Sequence, residues 1–104
     1  MDIKKIQKLK LEFDKERGFD KKNSSNVFVH LIEELGEVGR YINFDEAYKD
    51  IKLGNNPNIN RQEFSREIAQ VFMLLLQLAN KYGIDLSESF KKELAVARKR
   101  FKKK

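Results

Sequence analysis

The chain has 104 residues, enough for one compact domain with a small core, since 40% of it is hydrophobic. Its 22 Lys and Arg against 16 Asp and Glu give net charge +6, which permits anionic partners without selecting one. With no cysteine and one histidine, disulfides, thiolate metal sites and a multi-histidine zinc site within one copy are excluded.

In chain order, Ile3, Ile6, Leu9 and Phe13 recur at helical spacing and predict a helix over residues 2–17, with Gly18 as its stop signal. Asn23-Ser24-Ser25-Asn26 offers N-caps for a second helix running to about Asn43. Its apolar stripe is Phe28, Leu31, Leu35, Val38 and Ile42. Residues 45–53 read as a short helix, and Gly54-Asn55-Asn56-Pro57-Asn58 as a loop. Asn60 and Glu63 have capping-box spacing and open a helix to about Tyr82. Gly83 fits its left-handed terminus, with Ile84 as the apolar contact. Asp85 and Glu88 repeat the box and start a last helix to about Phe101, whose basic tail covers about 99–104. No strand alternation or repeat is visible. The expected fold is all-α, a single four- to five-helix domain over 1–104.

The helix over 61–82 carries Glu63, Glu67, Gln70, Gln77 and Lys81 on one stripe, and is apolar almost everywhere else from Ile68 to Ala79. So much apolar circumference predicts a homo-oligomer that completes the fold. The segment is shorter than the ~18 residues of a membrane span. The charged N-terminus shows no secretion signal, so a cytoplasmic location without membrane attachment is expected.

The segment His30-Leu31-Ile32-Glu33-Glu34-Leu35-Gly36-Glu37-Val38 concentrates three carboxylates in five residues. On a helix, Glu33/Glu37 and Glu34/Glu37 are like-charge neighbours, each costing a few tenths of a kcal/mol when exposed. A solvated acidic face is one reading. A hard divalent cation that offsets the repulsion is the other, with Glu67 and Gln70 supplying oxygens from the later helix. His30, one turn from Glu34, reads as a paired edge histidine rather than a catalytic one. Tyr41 and Phe44 are weak candidates for stacking on a base. Phe72 and Met73 read as core before base pocket.

The pattern Glu33-Glu34-x-x-Glu37 followed by Glu67-x-x-Gln70 resembles the E-E-x-x-E and E-x-x-D motifs of the MazG-type all-α nucleoside triphosphate pyrophosphohydrolases. Leu31 to Val38 resembles that family's first motif helix. Glu67 to Val71 followed by Leu78 to Leu86 resembles its second, and Asp14 to Gly18 a segment ahead of the first. The resemblance covers roughly residues 13–42 and 63–101.

This resemblance implies a MazG-like bundle and Mg²⁺-dependent hydrolysis of a nucleoside triphosphate to the monophosphate and pyrophosphate, with Mn²⁺ as a substitute ion. It implies Glu34, Glu37 and Glu67 as metal ligands, with Gln70 as a fourth. Glu33 and Glu34 are the catalytic candidates, Glu33 positioning water. Asn80, Lys81, Lys92 and Arg100 are candidate substrate contacts, although Asn80 also reads as a polar residue near a helix end. The expected partners are a nucleoside triphosphate and further copies of the chain, as dimer or tetramer.

Two departures fall on this chemistry. Gln70 stands where the family has Asp, which removes a charge from the metal site. Val96 and Ala97 replace a Lys-Asn pair ahead of Arg100. Alternative readings are a non-catalytic homologue that binds nucleotide or a protein partner, and a small basic nucleic-acid-binding protein. The acidic cluster disfavours the last.

Overall fold

The computed structural model describes residues 1–48 and 60–104. These form four helices: α1 (Ile3–Arg17), α2 (Ser24–Tyr48), α3 (Arg61–Lys81) and α4 (Leu86–Arg100), with a 3-10 turn at Phe19–Lys21. No strand occurs among the described residues, so the all-α expectation holds. The expected loop at Gly54–Asn58 lies outside them. The chain divides into two compact units, one of residues 1–24 with 76–104 and one of residues 25–75.

In the first unit, Asp2 caps α1 by accepting the Lys5 N–H at 2.8 Å. Gly18 ends the helix at φ 73°, where its N–H reaches the carbonyls of Asp14 and Lys15. The buried face of α1 differs from the expected stripe. Leu9 and Phe13 stay substantially exposed, while Lys10 and Asp14 are buried. The reason is local. Lys10 and Asp14 sit one turn apart and form an ion pair, so the two charges enter the interior together. Phe13 is covered instead by the Arg17 guanidinium, 3.9 Å from its ring centroid, and by Phe19 at 6.2 Å.

The C-terminal part of α3 is held to this unit by its polar residues. Gln77, buried, donates from its amide to the Phe19 carbonyl at 3.1 Å. Asn80 donates to the Gln7 carbonyl at 3.1 Å, and the Lys81 ammonium to the Asp20 carbonyl at 3.1 Å. Leu76 and Ala79, on the same turns, are buried apolar residues. Gly83, at φ 63°, turns the chain. Ile84 N–H returns to the Ala79 carbonyl at 2.9 Å and Gly83 N–H to Asn80 at 3.2 Å, the two bonds of a Schellman terminus. Asp85 then caps α4 through the Glu88 N–H. Gln7 bridges both ends of this junction, donating to the Ile84 carbonyl and accepting from the Leu86 N–H. α4 lies against α1 and buries no residue completely.

In the second unit, α2 runs unbroken to Tyr48, past the expected end near Asn43. The expected short helix over 45–53 is therefore continued α2 up to residue 48. Asn43 and Asp45 have only moderately poor helix propensity, and neither is a stop. Asn60 caps α3 by accepting the Glu63 N–H at 3.1 Å. The reciprocal bond of a capping box gives way to another, since the Glu63 carboxylate accepts the Tyr41 hydroxyl at 3.0 Å. The Tyr41 and Phe64 rings meet at 5.6 Å, so α2 and α3 are joined here by packing and a hydrogen bond together. Val27, Leu31 and Leu74 form the buried core of this unit.

Candidate functional site

The acidic cluster sits on α2 and α3 within the second unit. Helical spacing separates its members. Glu33 is exposed, while Glu34 and Glu37 are half-buried. Glu34 pairs with His30, Nε2 lying 3.5 Å from Oε1, as the one-turn spacing predicts. Glu37 is held by Arg40, whose Nε and one terminal nitrogen reach the same Oε2 at 3.2 and 2.9 Å.

Glu67 approaches from α3. Its Oε2 is shielded from solvent and has no hydrogen-bond partner. Leaving an acceptor in that state costs free energy unless a proton or cation reaches it. The Glu67 carboxyl is raised above the ordinary glutamate range, first by hydrogen bonding with Glu34, then by burial and by the negative charges of Glu34 and Glu37; Arg66 opposes the shift. The Glu67 carboxyl beside Glu34 therefore resists ionisation. Gln70 follows on α3, half-buried, three residues on.

Among the described residues, no three His, Asp or Glu side chains stand together at metal-holding spacing. Glu34 and Glu67 meet, but Glu37 is turned to Arg40. The chemistry of the set nonetheless fits a hard divalent ion. All its donors are oxygens, and the orphaned Glu67 Oε2 is an acceptor that such an ion satisfies.

Tyr41, weighed as a stacking residue from sequence, has its hydroxyl committed to Glu63. That bond and the Glu63 charge push its own pKa up. The acidic motif does not include Arg40, although its place three residues after Glu37 is the spacing of a helical ion pair.

The expected substrate contacts lie in the other unit. Asn80 and Lys81 border a cavity of about 230 Å³, together with Leu11, Asp14, Asp20 and Gln77. Both already serve the fold through their bonds to Gln7 and Asp20. The reading of Asn80 as a polar residue of the helix end thus has a bond to support it. Lys92 and Arg100 are exposed on α4, the Arg100 guanidinium 5.7 Å from the Phe101 ring centroid. Neither borders that cavity. Among the described residues, no helix is long and apolar enough to cross a membrane.

Comparison with known proteins finds no match: no family model, no curated protein and no solved structure matches the chain.

Proposed function

We propose that the chain is a Mg²⁺-dependent nucleoside triphosphate pyrophosphohydrolase of the MazG type, releasing the monophosphate and pyrophosphate. The observation that carries this reading is the unpartnered Glu67 Oε2 on α3, set against Glu34 and within the field of Glu37 on α2. The motif resemblance supplies the reaction. Glu34, Glu37 and Glu67 would hold the ion, with the Gln70 carbonyl as a neutral fourth ligand. When bound, such an ion neutralises charge on phosphate oxygens and acidifies a coordinated water. Glu33, exposed beside the cluster, is free to orient that water or take its proton. Asn80, Lys81, Lys92 and Arg100 keep the phosphate-contact roles that the resemblance implies. Lys81 keeps two further N–H donors beyond its bond to the Asp20 carbonyl.

The same reading includes a homo-oligomer. Phe28, Leu35, Ile68 and Leu75, all in the second unit, each remain about half exposed, and a second copy would cover them. Light scattering should give at least twice the chain mass at micromolar concentration; a folded monomer there would remove this part of the proposal.

The reaction is tested by screening nucleoside triphosphates for pyrophosphate release with Mg²⁺ or Mn²⁺. Gln70→Asp restores the charge that the motif lacks, so this variant should need less Mg²⁺ for half-maximal rate. A folded Gln70→Asp protein with unchanged metal dependence and rate would show that position 70 does not face the ion. Gain only after adding Val96→Lys and Ala97→Asn would locate the defect in phosphate binding. Silence in every variant favours the non-catalytic homologue, a reading already supported by the commitment of Asn80 and Lys81 to internal bonds.

A further inference from the structure

Arg40 places both of its bonds on one oxygen of Glu37. The pair stands in water, with the Arg40 side chain 71% and the Glu37 side chain 45% exposed. Ion pairs of that kind contribute little and exchange without disturbing the fold. Arg40 also lies 5.6 Å from the Tyr41 ring centroid, and Tyr41 is tied to α3 through Glu63. The charge of Glu67 acts on Arg40 as well. The guanidinium therefore stands on Glu37 within the field of Glu67, and a divalent ion that takes the bonded Glu37 oxygen competes with it.

Two carboxylates of the cluster have a basic neighbour, His30 beside Glu34 and Arg40 beside Glu37. Of these, Arg40 alone carries a permanent charge on a planar fork that also matches phosphate oxygens.

We propose that Arg40 is the resident counter-ion of the carboxylate cluster: a divalent cation entering at Glu37 displaces its guanidinium, which then binds a phosphate oxygen of the nucleoside triphosphate. The inference rests on the cation site proposed above and adds a residue to it. The arrangement stores a cation where the metal is absent and hands it to the substrate where the metal is present.

The test titrates Mn²⁺ alone into the wild type, Arg40→Gln and Arg40→Lys, reading free Mn²⁺ by electron paramagnetic resonance, with circular dichroism confirming the fold. Removing the competing charge should lower the half-saturating Mn²⁺ concentration of Arg40→Gln by about two- to fivefold. Arg40→Lys, which keeps the charge, should stay near the wild type. Inorganic tripolyphosphate, titrated calorimetrically in saturating Mg²⁺, should then bind Arg40→Gln about tenfold more weakly, with Arg40→Lys between. Wild-type protein that binds no Mn²⁺ would overturn the cation site itself, and this inference with it. Wild-type binding with an unchanged half-point in Arg40→Gln would overturn the role of Arg40 alone, since removal of a plain surface pair leaves that half-point where it is. A lowered half-point with unchanged tripolyphosphate binding would overturn the phosphate contact and leave Arg40 a counter-ion.

Discussion

Glu67→Gln is expected to stabilise the cation-free protein at neutral pH while abolishing its response to Mg²⁺. The Glu67 carboxyl binds its proton more tightly in the folded chain than in the unfolded one. A raised carboxyl contributes stability that is fully present below the ordinary glutamate value of 4.5 and is lost as pH rises through the raised folded value. Above 4.5 this contribution declines as Glu67 ionises against Glu34. Glutamine keeps the shape and removes the charge, so the variant should show a higher melting temperature without metal and a flatter decline of stability above that pH. Saturating Mg²⁺ should raise the melting temperature of the wild type, because an ion specific to the folded cluster stabilises it, and should leave Glu67→Gln unmoved. Pyrophosphate release should fall on the order of 100-fold or more. A variant less stable than the wild type in the absence of metal would show that Glu67 is held by something other than a shared proton or cation.

Asp14→Ala is expected to be the most damaging single change to the fold. Asp14 and Lys10 are both buried in the first unit and compensate each other. Removing the carboxylate leaves the Lys10 ammonium without its partner, at a cost of about 3–5 kcal/mol. That is a large part of the stability of any domain this size. The double variant Lys10→Met with Asp14→Leu removes both charges and should return to within about 1 kcal/mol of the wild type or exceed it. Urea unfolding compares the three proteins. A loss below about 1 kcal/mol in Asp14→Ala would mean that water reaches Lys10 and that the pair is not an interior one.

These two variants mark where the sequence is legible and where it is not. The helix ends are legible because their chemistry is local. Gly18 and Gly83 occupy left-handed positions, Asn60 and Asp85 accept the N–H groups three residues on, and each signal spans less than two turns. The inner face of α1 is not legible by hydrophobic periodicity. That method assigns Leu9 and Phe13 to the core, while the self-compensating Lys10–Asp14 pair takes the buried positions and cations cover the ring of Phe13. The end of α2 is missed because nothing between Asn43 and Asp45 stops a helix. The acidic cluster is half legible. Repulsion within α2 can be read from spacing, and a carboxylate on an otherwise apolar α3 points inward. The pairing of Glu37 with Arg40 is as local as the caps, yet it escapes a reading that follows acidic residues alone. The polar residues Gln77 and Lys81 share the stripe of Glu63 and Glu67, and Asn80 lies beside it, but the backbone carbonyls they bond belong to Phe19, Asp20 and Gln7, whose placement no stretch of α3 encodes.

The central claim is that Glu34, Glu37 and Glu67 form one cation site across two helices. Crystals of the wild-type protein grown with Mn²⁺ test it most directly, through anomalous diffraction at the manganese edge. The account predicts one anomalous peak per chain, about 2.1 Å from carboxylate oxygens of Glu34 and Glu67, with Glu37 turned toward it and Arg40 released. Ordered carboxylates with no peak between α2 and α3, or a peak on other residues, would contradict it.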